Sequence, residues 1–166
     1  MLAASATGTA TSHFLYPGMV FAKSGDFCIT TVLGSCVSVC LWDCVLRIGG
    51  MNHYLLPFWN GEGLQTPKFG NVSIPALVEK MLSLGSKKGN LRAKVFGGAN
   101  ILESSSGLLK VGERNIQLAD KALDDSRILV ACRDVGGTQG RKLLFRTATG
   151  EVFVKKLRES KPSAGV

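Results

Sequence analysis

The chain has 166 residues, 45% hydrophobic and 19% charged, with no internal repeat; this is the balance of one globular domain and excludes a disordered, collagen-like or solenoid chain. The formal net charge is +8 while aromatics are only 7% and sit mostly in apolar runs, so the chain lacks the interleaved stacking residues of a single-strand nucleic-acid binder; the charge reads as a soluble basic surface or as steering toward an acidic protein. No window offers the ~18 uninterrupted apolar residues of a membrane span, and the small, polar start has neither the basic nor the apolar part of a signal peptide.

A cytoplasmic location and no membrane insertion are therefore expected. In that setting the five cysteines, Cys28, Cys36, Cys40, Cys44 and Cys132, read as free thiols and not as a disulfide framework. Residues 1–14 read as a mobile N-terminal arm, residues 15–159 as a single domain and residues 160–166 as a flexible tail.

The first clear element is a β-branched strand over 27–33. Gly34 interrupts it, and residues 36–42 continue as a largely apolar, buried strand. A turn at 43–47 leads into a returning strand over 48–56, ended by Pro57, so the last two strands form an antiparallel hairpin. Residues 58–71 are polar and Gly-rich and read as a loop. A helix follows, capped by Ser73, with Pro75 in its first turn and Ile74, Leu77, Val78, Met81 and Leu82 on one face; Gly85 stops it. A strand over 91–96 runs into Gly97-Gly98, a shorter helix covers 113–123, and strands over 127–133, 142–146 and 151–157 complete an α+β chain. Glu113 and Asn115 read as helix-start residues, Asp134 and Arg141 as a local surface ion pair, and Gly136-Gly137 as a turn.

Cys36, Cys40 and Cys44 recur every fourth residue, a spacing that would align three thiols on a helix. The residues between them favour a strand, and no paired C-x-x-C or His knuckle follows, so a metal site is not expected. Cys28, Cys40, Cys44 and Cys132 read as small hydrophobes in a core. Cys36 differs because Gly34-Ser35 lets the backbone turn and leaves the thiol at a strand entrance. A thiol becomes a nucleophile when a base draws off its proton. Of two histidines, His13 lies in the arm, while the hairpin brings His53 to the same end as Cys36. Asp43 is on the far side of the turn and cannot orient the imidazole; of Thr30 and Thr31, strand alternation lets only one point toward it.

Thr30-Thr-Val-Leu-Gly-Ser-Cys36-Val-Ser-Val-Cys-Leu-Trp-Asp43, Ile48-Gly-Gly-Met-Asn-His53-Tyr-Leu-Leu-Pro57, Val95-Phe-Gly-Gly-Ala-Asn100, Val111-Gly-Glu-Arg-Asn115, Asp134-Val-Gly-Gly-Thr-Gln-Gly-Arg141 and Thr149-Gly-Glu-Val-Phe-Val154 together resemble the chemoreceptor glutamine deamidase family CheD over nearly the whole chain. The resemblance implies Cys36 as nucleophile, His53 seventeen residues later as base, and Thr30, six before the cysteine, as third member. It also implies a sandwich of mixed β-sheets with flanking helices, related to the cysteine hydrolases of the cytotoxic necrotizing factor type. The activity implied is conversion of receptor glutamines to glutamates, with CheC as a partner; the same acyl-enzyme would also serve hydrolysis of glutamate methyl esters. Backbone N–H groups of Ser35 and Cys36 are the candidate oxyanion donors, and the chemistry needs no metal or organic cofactor. A non-catalytic adaptor on this fold and a cysteine peptidase are the alternative readings.

Overall fold

The computed structural model describes residues 9–101 and 110–158, and places them in nine strands and two α-helices. In chain order these are β1 (Thr11–Phe14), β2 (Val20–Lys23), β3 (Phe27–Leu33), β4 (Val37–Asp43), β5 (Ile48–Asn52), α1 (Gly70–Ser83), β6 (Leu91–Gly97), α2 (Val111–Asp125), β7 (Leu129–Val135), β8 (Arg141–Arg146) and β9 (Val152–Lys156). One sheet has the order β1-β3-β8-β9 and the other β2-β5-β4-β6-β7. Both are mixed: β1 runs parallel to β3, and β6 parallel to β7 across the α2 crossover, while the remaining pairs are antiparallel. The two sheets face each other, and α1 and α2 cover the far side of the five-stranded one. This is the α+β sandwich with flanking helices that was expected.

Alternation along β4 explains the three layers. Val37, Val39 and Leu41 point to the helices, where they meet Ile74, Leu77, Met81, Leu118 and Leu123. Cys36, Cys40 and Trp42 point the other way, into a second core with Leu15, Ile29, Leu33, Met51, Phe96 and Phe145. A strand buried on both faces has no polar alternation, which is why it reads as a continuous apolar run.

The expected 36–47–56 hairpin is β4–β5, in the register Cys40↔Met51 to Asp43↔Ile48. Asp43 Oδ1 accepts the Val45 and Leu46 N–H groups at 2.9 Å each, so this carboxylate builds the turn, remote from the other end. β5 stops at Asn52, earlier than the sequence suggests. The first helix starts at Gly70 without a side-chain cap, and Ser73 is a buried residue of its first turn and no cap. Its end is as read: Gly85 N–H bonds Leu82 O and Ser86 N–H bonds Met81 O, with Gly85 at φ 103°, a Schellman stop.

Part of the arm expected over 1–14 is structured. Thr11–Phe14 add a parallel edge strand to β3, and the His13 ring stacks on Phe21 at 3.9 Å between centroids. Residues 1–8 and 159–166, with most of the expected tail, lie outside the described residues.

Candidate active site

The chain crosses from one sheet to the other between β3 and β4, and Gly34, Ser35 and Cys36 are the crossing. Past the end of β5 the β4–β5 register is continued by a single bridge, with Val37 N–H bonding Tyr54 O at 3.1 Å and Tyr54 N–H bonding Val37 O at 3.0 Å. In that register Ser38 stands opposite His53, and Cys36 is the diagonal neighbour of His53. Antiparallel diagonal neighbours share a face with backbones ~7–8 Å apart, within side-chain reach. Both residues face the space between the sheets: His53 is 2% exposed and Cys36 is half-buried. The histidine's backbone is held on its other side by the turn before β2, with His53 N–H on Met19 O at 3.1 Å and Gly18 N–H on His53 O at 2.8 Å.

Across the sandwich, Thr31 of β3 meets the imidazole: Thr31 Oγ1 lies 2.8 Å from His53 Nδ1 and 2.7 Å from Leu15 O, all buried. A hydroxyl has one hydrogen. Leu15 O can only accept, so it takes that hydrogen; Nδ1 must then carry a hydrogen and donate it to Oγ1. The tautomer that follows leaves a lone pair on Nε2, which is buried with no hydrogen-bond partner among the described residues. Burial lowers the pKa of His53 to about 4 and raises that of the Cys36 thiol, the latter partly offset by the residue's own N–H. At neutral pH the pair therefore rests as thiol and neutral imidazole.

The expectation fell on Thr30, and it is its neighbour that lies against the imidazole. Alternation in β3 sends Ile29, Thr31 and Leu33 inward, while Thr30 sits on the outer face in one row with Phe14 and Leu144. Thr31, and not Thr30, touches His53.

The crossing loop is held by its carbonyls. Ala99 N–H bonds Gly34 O at 3.0 Å and Gly98 N–H bonds Cys36 O at 2.8 Å, while Asn115 Nδ2 bonds Ser35 O at 3.0 Å. The N–H groups of Ser35 and Cys36 have no backbone acceptor among the described residues. Gly97 makes the close docking possible: its φ is 103°, and a Cβ there would overlap the Cys36 carbonyl oxygen.

Sequence reasoning missed Asn115, which is fully buried; it lies in the second turn of α2 and is no helix-start residue. It also missed Tyr54, whose hydroxyl donates to Asn115 O at 2.6 Å. A buried amide at a core position of an amphipathic helix was the available signal. The Asp134–Arg141 pair exists, at 3.0 Å, but the arginine is 3% exposed and also bonds Gly136 O and Gln139 O. It fastens the Gly136-Gly137 turn from inside and is no surface pair. Of the four cysteines expected in a core, Cys40 is buried and Cys28 half-buried, while Cys44 and Cys132 are exposed and so are not core residues.

The family model described as "CheD chemotactic sensory transduction" matches residues 55–156. The chain is 51% identical over 142 residues to a probable chemoreceptor glutamine deamidase CheD of Trichlorobacter lovleyi, covering 86% of this chain and 88% of that one. It is 43% identical to a protein of the same description from Sulfurimonas denitrificans, covering 89% and 95%. A third, from Anaeromyxobacter dehalogenans, is 46% identical with 87% and 84% covered.

Proposed function

From the premise that the chain belongs to the CheD family, we propose that it is a protein-glutamine deamidase acting on chemoreceptors, with Cys36 as nucleophile, His53 as base and Thr31 orienting the base. The observation that carries this reading is the buried His53 whose Nδ1–H is fixed by Thr31, leaving the Nε2 lone pair without a partner among the described residues on the face it shares with Cys36.

The chemistry follows from these positions. His53 Nε2 takes the thiol proton as Cys36 Sγ bonds to the side-chain carbonyl carbon of a glutamine, whose oxygen becomes an oxyanion. The N–H groups of Ser35 and Cys36, without a backbone acceptor among the described residues, are its donors. The Nε2 proton passes to the departing nitrogen, the C–N bond breaks, and ammonia leaves a thioester on Cys36. Water then gives a proton to Nε2 and its oxygen to the acyl carbon. The C–S bond breaks, the proton returns to sulfur, and the product is glutamate. A glutamate methyl ester would pass through the same acyl-enzyme and release methanol, so methylesterase activity belongs to the same reading.

The resemblance also supports CheC as a partner, and a cytoplasmic location belongs to the same reading; among the described residues no helix is long and apolar enough to cross a membrane. Incubation with a receptor cytoplasmic fragment, followed by mass-spectrometric mapping, tests the function. Gln-to-Glu conversion that disappears in Cys36→Ala is the expected result. No conversion, or conversion that survives the substitution, overturns the reading, and backbone cleavage would assign a peptidase instead.

A further inference from the structure

Asn115 reaches away from α2 to the two segments that carry the reactive pair. Its Nδ2 donates both hydrogens, one to Ser35 O and one to Leu55 O, each at 3.0 Å. Ser35 precedes Cys36, and Leu55 lies two residues beyond His53. Two carbonyl acceptors on one end of the amide fix which end is nitrogen. The other end, Oδ1, is buried without a partner among the described residues. An unsatisfied buried acceptor is a net cost to folding, so stability alone does not account for an amide here.

A trans peptide holds its C=O and N–H on opposite sides, so the side that takes the Ser35 carbonyl decides the side onto which Cys36 N–H opens. Three successive carbonyls of the crossing are taken by the β6–α2 region. Those of Gly34 and Cys36 meet backbone N–H groups, which any sequence would supply. Only the middle one, Ser35 O, depends on a side chain. Cys36 N–H is left without a backbone acceptor among the described residues and lies against its own sulfur, where it favours the thiolate. That is where an oxyanion donor is needed.

We infer that Asn115 is a positioning residue for acyl transfer at Cys36: by holding the Ser35 carbonyl it aims the Cys36 N–H at the oxygen of the carbonyl under attack. The inference rests on Cys36 being the nucleophile. It makes no demand on the identity of the substrate.

The test compares two reactions of Cys36 in the whole chain, for wild type, Asn115→Ala and Asn115→Ser, with the modified peptide followed by mass spectrometry. p-Nitrophenyl acetate acylates the sulfur through an oxyanion, forming the C–S bond and expelling p-nitrophenolate. Iodoacetamide alkylates the same sulfur by displacing iodide, with no oxyanion. Asn115→Ala is expected to slow acylation about tenfold to a hundredfold, as for a displaced oxyanion donor, and to change alkylation by no more than about twofold. Asn115→Ser, whose hydroxyl can serve one of the two carbonyls, recovers part of the acylation rate. Acylation that persists in Asn115→Ala, or both reactions falling together, overturns the inference. If circular dichroism finds Asn115→Ala unfolded, the same two rates in Asn115→Ser decide. A wild type that acylates in this Asn115-dependent way but converts no receptor glutamine refutes the deamidase reading and leaves the inference standing; receptor deamidation indifferent to Asn115→Ala does the reverse.

Discussion

Replacing Thr31 by valine removes one oxygen from the site and little volume. The oxygen serves two neighbours, accepting from His53 Nδ1 at 2.8 Å and donating to Leu15 O at 2.7 Å. Without it the imidazole either keeps a buried Nδ1–H unpaired, at ~1–3 kcal/mol, or moves its hydrogen to Nε2 and ceases to be a base toward Cys36. Because the lost bond is neutral on both sides, the penalty is smaller than for an aspartate partner. About 2–3 kcal/mol of barrier corresponds to roughly a 30- to 150-fold fall in kcat. Thr30→Val is the control. It acts on the outer face of the same strand, in the row with Phe14 and Leu144, and is expected to leave kcat within about twofold. Initial rates of Gln-to-Glu conversion on a receptor fragment measure both, and Thr31→Ser should recover most of the loss by restoring the hydroxyl. The reasoning fails if Thr31→Val stays within about threefold of wild type, or if Thr30→Val falls as far as Thr31→Val.

Acid should weaken the fold through His53. Its folded pKa is about 4 and its ordinary value 6.5, so below 6.5 the unfolded imidazole binds a proton that the folded one refuses. This contribution to stability is complete above pH 6.5 and is lost as pH falls toward about 4, amounting to about 3 kcal/mol at 1.36 kcal/mol per unit. Urea melts of wild type and His53→Gln across that range should converge by about this amount on acidification; parallel curves would contradict it. Gly97→Ala should lower stability by about 2–4 kcal/mol and slow deamidation, since the residue has φ 103° and a Cβ would overlap Cys36 O. An alanine variant with a wild-type urea midpoint and wild-type rate would show that the crossing loop does not depend on this docking.

Where a pattern is carried by one strand and its neighbours, the sequence was enough. The β4 run, the Gly34 break and the Asp43 turn place Cys36 and His53 at one end of a hairpin by chain geometry alone, and the structure keeps that arrangement. The strands β1 and β2 went unread because each is four residues long and neither has a fully buried residue; their identity comes from partners β3 and β5, far along the chain. The choice between Thr30 and Thr31 was illegible for a different reason. Adjacent threonines in one strand face opposite sides, and which side holds the histidine depends on β3 lying in the other sheet from β4 and β5. Nothing local encodes that crossing.

The same crossing explains why the site needs residues from so many segments. Cys36 sits where the chain leaves one sheet for the other, so its peptide groups belong to neither ladder, and each of the three carbonyls must find a donor elsewhere. β6 supplies two through the Gly97-Gly98 bend, and α2 supplies the third through Asn115. The N–H groups of Ser35 and Cys36 are left without a backbone acceptor among the described residues. An unpaired pair of backbone donors is a cost to folding, and it is also what an oxyanion requires. A loop with both carbonyls and N–H groups satisfied would be more stable, and under the proposed mechanism it would have no donor to offer an oxyanion.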